Sequence, residues 1–435
     1  MNTLKALQLL KKNTFTTVGC TDPVAIGLAV AWAREISDGR IKGIKIRLDR
    51  SIYKDALFVP IPGTNSSGVK LAAAIAAING SPENGLELFK DLGYEDFEKA
   101  HKFMSETAIL FEIEESPGIF ISAMITTDKG RFEATISGSH DRLVEKRVNG
   151  NLVYSFFDSA VAPSAERNDL EAARDLTIEK IFELVGSFHP DDIAYLVKGV
   201  GINSLAGQIG LGEGRGIGLG RKLKSLIDDQ VLSDSLVNRT RILVAAAADA
   251  RMGGLNVPIW GCFGSGNHGI TFFITVGEVA RRLEKSEEEL AKALALGLLV
   301  IGVVKSRTGI LTPHCGCAVS AGTGASAAIT YLLGGDEQQV ENSIHLMSAN
   351  LAGMICDGAK GGCSLKISTS AGIAIESAFL ASLFRDTPPS LEGIVGRSFQ
   401  ETMFNIEKMT HQGLACLDKT LLEILLAREE AVPRI

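Results

Sequence analysis

A chain of 435 residues, 46% apolar and 22% charged, can bury a large core and has room for two domains of ordinary size, which argues against disorder. Its net charge of −7 argues against nucleic acid as a partner, because neutralising phosphates needs clustered Lys and Arg. The longest uncharged apolar run, residues 293–304, falls short of the roughly 20 residues of a membrane-spanning helix. With no signal-peptide pattern at the start either, a soluble cytoplasmic protein without a membrane partner is expected.

Residues 4–12 and 22–37 read as helices, with Asp22 as N-cap of the second and Pro23 in its first helical position. Residues 41–48 alternate like a half-buried strand, and 57–61 resemble another. Helices at 67–79 and 95–105 precede strand-like runs at 109–113, 118–127, 131–137 and 143–148. Residues 40–170 are therefore expected to form an α+β domain with a mixed, largely antiparallel sheet. The helical segment 1–39 is expected to pack on the domain that follows. From 171 to 435 that domain is expected to be large and all-helical. Its helices are placed at 176–187, 191–207, 233–250, 275–283, 286–304, 318–333, 337–348, 367–384 and 412–428, with glycine-rich joints at 210–216 and 261–269.

The seven cysteines are unevenly placed, with Cys20 and Cys262 alone and then Cys315, Cys317, Cys356, Cys363 and Cys416. Without an export signal they are not a disulfide framework. Cys315-Gly316-Cys317 precedes a small-residue helix, and a glycine-rich loop joins Cys356 to Cys363 ahead of another. Thiolates ligate both structural zinc and iron–sulfur clusters. Zinc would take Cys315, Cys317, Cys356 and Cys363 in a closed tetrahedron, whereas a catalytic cluster would take three and leave one iron open. Free cysteines acting as small buried hydrophobes are the third reading.

Cys20 lies near a helix N-terminus, where unpaired N–H groups and the helix dipole lower a thiol pKa, although Asp22 opposes this. Residues 264–269 match G-x-G-x-x-G, but Pro258 argues against the central parallel strand a dinucleotide site needs. A tight turn offering Ser265, Asn267 and backbone N–H groups to a small anion is the better functional reading. Arg251 ends an alanine-rich helix and could clamp a carboxylate or cap the helix's last carbonyls. His140 and His268 stand in turn contexts. No G-x-S-x-G, H-E-x-x-H or Walker A pattern occurs.

Together, Gly19-Cys20-Thr21-Asp22-Pro23, Pro62-Gly63-Thr64, residues 249–254 (DARMGG), residues 264–269 (GSGNHG) and residues 354–359 (MICDGA) running on to Cys363 resemble the L-cysteine desulfidase family, related to the iron–sulfur L-serine dehydratases. His268 stands where many members carry Gln. The resemblance implies a 4Fe-4S cluster on three cysteines, Cys356, Cys363 and one of Cys315 and Cys317. It implies Cys20 as catalytic base. The substrate would be a small amino acid, L-cysteine first, giving pyruvate, ammonia and hydrogen sulfide without pyridoxal phosphate. Arg251, Ser265 and Asn267 are then candidates for the substrate carboxylate, with Gly266, Lys366, Lys54 and His140 as further substrate-binding candidates. An L-serine dehydratase with the same cluster and a non-catalytic zinc- or cluster-binding regulatory protein are the rivals. A homodimer is the expected assembly.

Overall fold

The computed structural model describes residues 1–64, 66–115, 118–156, 168–384 and 391–431. The architecture is α+β, with an N-terminal helix-and-sheet body followed by a large helical body.

Helix α1 (Thr3–Lys12) is capped by the Asn2 side chain and buries Ala6, Leu9 and Leu10 in the helical core. Strand β1 (Thr14–Val18) follows, then α2 (Thr21–Glu35). The segment 1–39 thus divides instead of packing as one unit on the helical domain. Residues Thr21–Ala31 and Ala33 of α2 are all buried, so a single packing face cannot satisfy this helix. It is enclosed by the sheet and by the alanine-rich α4 introduced below. Helix α2 also starts one residue before Asp22, with Cys20 in the N-cap position and no side-chain cap.

Strand β2 (Ile41–Asp49) runs into α3 (Arg50–Ala56), and α4 (Val69–Asn79) and α5 (Tyr94–Glu106) complete a crossover to β3 (Ala108–Glu114). Strands β4 (Phe120–Thr127), β5 (Arg131–Ser137), β6 (Leu143–Val148) and β7 (Asn151–Ser155) continue as a meander. The sheet order is β3-β2-β4-β5-β6-β7, with β2 and β3 parallel and every other pair antiparallel. The strand expected at 57–61 does not form, and a single bridge links Pro60 to Ser67. A proline gives no ladder donor, and a second follows at Pro62.

The junction expected near 170 borders residues 157–167, which lie outside the described residues. Beyond it come α6 (Asn168–Glu171), α7 (Ile178–Ser187), α8 (Pro190–Ile193), α9 (Val197–Glu213), α10 (Leu219–Asp228) and α11 (Leu236–Met252). The glycines at 210–216 are only partly a joint, since α9 runs through Gly210 to end at a left-handed Gly214. A Cβ on Gly210 would stand 2.0 Å from the Ala246 carbonyl oxygen, so glycine is what lets α9 lie against α11.

Strand β8 (Pro258–Cys262) is the exception to an all-helical body, pairing antiparallel with β1. Helix α12 (Gly266–Gly269) continues through a π turn at Ile270–Ile274 into α13 (Thr275–Arg282). Helix α14 (Glu287–Thr308) has a Ser286–Glu289 capping box and forms the centre of the core. Each fully buried Leu, Ile or Val along it stabilises the fold by about 1.5–3 kcal/mol. Then follow α15 (Thr323–Leu332), α16 (Glu337–Leu351), α17 (Cys363–Leu383), α18 (Phe399–Lys408) and α19 (Leu417–Ala431). Among the described residues no helix is long and apolar enough to cross a membrane.

Candidate active site

The N-terminus of α2, the end of α3, the end of α11, the turn before α12, the end of α14 and the loops before α15 and α17 meet around one cavity of about 90 Å³. It is lined by Cys20, Asp22, Asp55, Arg251, Ser265, Asn267, His268, Lys305, Lys366 and four further cysteines, Cys315, Cys317, Cys356 and Cys363.

Gly19 holds φ +77°, a left-handed conformation that favours glycine, and a Cβ there would meet Pro62 at 2.3 Å. The Gly19–Pro23 and Pro62–Thr64 motifs are thereby packed against each other, and Gly63 N–H donates to the Gly254 carbonyl at 2.9 Å. The turn fixes Cys20, whose thiol donates to Asp22 Oδ2 at 3.4 Å. Asp22 Oδ1 in turn lies 3.2 Å from His140 Nε2, so Asp22 is a carboxylate link between the thiol and the sheet body, not a helix cap. The thiol pKa is raised well above its ordinary value, by burial first and then by Asp22, with Arg251 pulling the other way. The low-pKa thiol expected from the helix N-terminus is therefore not what the closed cavity holds.

Arg251 is buried, with Nε donating to the Gly19 carbonyl at 3.0 Å and Nη1 to Asn267 Oδ1 at 2.9 Å. Nη2 has no hydrogen-bond partner. The helix-capping alternative fails, because Gly253 closes α11 through its own N–H. A Cβ on Gly266 would lie 2.6 Å from Arg251 Nε, so Gly266 makes room for the guanidinium instead of binding anything by its side chain. A strand does precede Gly264 and a helix does open at Gly266, but β8 belongs to a two-stranded antiparallel ribbon and not to a βαβ unit. The buried residues Ile270–Ile274 after Gly269 form the π turn.

Cys315 N–H donates to the Met354 carbonyl and Cys356 N–H to the Pro313 carbonyl, at 2.6 and 2.8 Å, zipping the two cysteine loops together. Cys317 opens a π turn into α15, and its carbonyl accepts from Ser370 Oγ of α17 at 2.9 Å. Because Cys363 is the first residue of α17, these ties bring all four thiols to one wall. Gly316 has no room for a side chain, since a Cβ would stand 2.4 Å from His268 Nε2 and 3.0 Å from Lys305 Nζ. Burial raises the Cys356 and Cys363 thiols, and a hydrogen bond between Cys315 and Cys317 lowers the first and raises the second.

Lys305 and Asp55 also line the cavity, and neither is among the site residues expected from the sequence. Lys305 carries a usable signal, a lone cation closing the apolar run 293–304. Its ammonium donates to the Ile310 carbonyl at 2.9 Å, and burial lowers its pKa to about 8 despite the nearby cysteines. Asp55 belongs to none of the motifs that mark the site in the sequence. Lys366 lines the cavity but donates to the Ile355 carbonyl at 2.8 Å and pairs with Asp357. Lys54 and His140 do not line it. Lys54 is committed to Asp418 at 2.7 Å and the Cys356 carbonyl at 3.2 Å, so it braces the cysteine loop. His140 reaches the site only through Asp22.

Four thiols on one wall, beside two ammonium groups, match the sulfur donors that an iron–sulfur cluster needs. Among the described residues no three His, Cys, Asp or Glu are gathered closely enough to hold one metal ion. The thiols border a shared space instead of converging on a point.

A family model, the serine dehydratase alpha chain, matches residues 190–423, which carry Arg251, Ser265, Asn267, Lys305 and all four clustered cysteines. Similar proteins span nearly the whole chain. A UPF0597 protein of Clostridioides difficile is 36% identical, covering 96% of this chain and 98% of its own length. UPF0597 proteins of Desulfotalea psychrophila and Caldanaerobacter subterraneus are 35% and 34% identical, each covering 97% of this chain and 98% of the relative.

Proposed function

As this chain belongs to the family of the serine dehydratase alpha chain, we propose that it is a lyase that eliminates the β-substituent of a small L-amino acid. The elimination would use a 4Fe-4S cluster held by Cys356, Cys363 and one of Cys315 and Cys317. The observation that carries this reading is the meeting of those thiols, Cys20 and the half-free Arg251 guanidinium around one cavity. The family match supports a cluster over the tetrahedral zinc of a regulatory module.

The cluster, when bound, supplies a Lewis-acidic iron that improves the leaving group. The chain supplies the rest. Arg251 Nη2 and the Asn267 side chain bind the carboxylate, which orients the α-carbon toward Cys20. Cys20 passes its proton to Asp22, steadied by His140, and as thiolate removes the α-proton. The Cα–H electrons form the Cα–Cβ double bond as the Cβ–heteroatom bond breaks and its electrons leave with the heteroatom. Aminoacrylate then tautomerises and hydrolyses to pyruvate and ammonia.

L-Cysteine is the substrate favoured by the motif resemblance, and L-serine the one favoured by the family description. Anaerobic reconstitution followed by iron, acid-labile sulfide and pyruvate measurements tests both. The expected outcome is bound iron and sulfide with pyruvate release that Cys20→Ala abolishes. A colourless protein holding one zinc and making no pyruvate from either amino acid would overturn the reading.

A further inference from the structure

Four buried polar atoms of residues lining the cavity have no hydrogen-bond partner: Arg251 Nη2, His268 Nδ1, His314 Nε2 and Asp55 Oδ1. Buried polar groups are nearly always satisfied, so orphans of this kind mark places where a ligand completes the bonding. The Arg251 corner is positive and already assigned to a carboxylate. Asp55 is the opposite, a carboxyl at the end of α3 that is only 9% exposed. Its ion-pair partner, Lys54, stands 3.7 Å from Oδ1, beyond hydrogen-bond distance, and donates to Asp418 and the Cys356 carbonyl. Asp55 therefore has a balancing charge at a distance but no donor.

Asp55 also lies close enough to Cys20 to act on its thiol electrostatically, as does Asp22. Of these two carboxylates, Asp22 is engaged by Cys20 and His140, and Asp55 Oδ1 has no hydrogen-bond donor. In an α-amino acid the ammonium sits on the same carbon as the proton that Cys20 must remove. With the carboxylate at Arg251 and the β-substituent toward the cysteines, the ammonium is left to the part of the cavity that Cys20 and Asp55 line together.

Resting on the elimination reading above, we propose that Asp55 is the anchor for the substrate's α-ammonium and makes the site selective for α-amino acids over their 2-hydroxy counterparts. A charge-assisted hydrogen bond from the ammonium satisfies Oδ1, and it cannot be replaced by a hydroxyl at equal strength. The raised pKa of Asp55, driven by burial, is what a carboxyl awaiting a cationic partner shows. The bound ammonium also brings positive charge next to Cys20, favouring thiolate only when substrate is present.

The test is calorimetric titration of the anaerobically reconstituted protein with L-alanine, which has no leaving group, and with (S)-lactate, which replaces the ammonium by hydroxyl. The wild type is expected to bind L-alanine at least roughly tenfold more tightly than lactate. Asp55→Asn, at matched iron content, is expected to lose that preference while binding lactate as before, and to raise KM more than it lowers kcat. If L-alanine binds equally well to wild type and variant, the assignment of Asp55 falls while the elimination reading stands. If neither compound binds the wild type, the amino-acid reading itself fails and takes the assignment with it. Should Asp55→Asn not fold, Asp55→Ser carries the same comparison.

Discussion

Burial shapes the chemistry of single residues around the cavity more than local sequence does. Asp55 shows this through pH. Its pKa is pushed up to about 7, by burial first and then by Asp22 and Asp418, against the pull of Lys54 and His140. In the unfolded chain an aspartate titrates near 4, at about 3.9. Between these values the native state holds a proton that the unfolded state has released. The stabilising effect of that proton is complete below the unfolded pKa and disappears as pH rises through about 7. Asp55→Asn cannot ionise, so its stability relative to wild type should rise from pH 4 to pH 8, any gap in its favour being widest at pH 8. Urea denaturation of both proteins across that range checks the sign, and a gap that widens on acidification would contradict it. A residue that weakens the empty fold at working pH while serving a ligand is an ordinary trade between stability and function.

At the scale of elements, the far C-terminal helix matters because it braces the cysteine loop from behind. Asp418 at the start of α19 holds Lys54 of α3, and Lys54 holds the Cys356 carbonyl. Burial works against the Lys54 ammonium, but Asp55, Cys356 and Asp418 outweigh it and leave its pKa raised. Asp418→Asn leaves that buried cation short of its closest counter-charge. Breaking a buried pair from one side destabilises by roughly 3 kcal/mol. The variant is therefore expected to unfold at lower urea and, through the loosened loop, to retain less iron after reconstitution. Ser286→Ala serves as the contrast. It removes the cap of α14 on the exposed surface, which destabilises by about 1 kcal/mol, and should leave iron retention unchanged. Equal iron loss in the two variants would mean that global stability, not the Lys54 brace, governs loading.

On the scale of the whole molecule, the two bodies are joined through the cavity itself. Thr21 Oγ1 donates to the Gly264 carbonyl at 3.1 Å, Arg251 reaches the Gly19 carbonyl, and β1 pairs with β8 across 240 residues of sequence or more. Neither body can leave without breaking bonds on the cavity wall. Differential scanning calorimetry of the metal-free protein is expected to show one endotherm, moved to higher temperature by L-alanine because only the closed form binds it. Two resolved transitions, with only one responding to ligand, would show that the bodies fold independently.

Local patterns in the chain carry much of the fold and the ingredients of the site. Alternation in 41–48 and the strand-like runs 118–127 and 131–137 predict strands because one face of that sheet packs on helices, and the helix expected at 286–304 is α14. The cysteine spacing and the glycine-bearing motifs identify what the site is made of, since only glycine fits beside Pro62, Arg251 and His268. What the sequence by itself could not decide is set by contacts between residues far apart in the chain. Helix α2 looks like part of a helical bundle but is taken by the sheet. The short ribbon β1–β8 exists only as a pair, and each strand alone has too few alternating residues to declare itself. Lys54 and Lys366 carry the same charge, yet Asp418 withdraws one from the cavity while the other faces it. Asp55 has an ordinary neighbourhood in sequence. It becomes an unsatisfied acceptor only where folding buries it in the cavity that Cys20 also lines, because hydrogen-bond satisfaction belongs to three-dimensional surroundings and is not encoded in residue type.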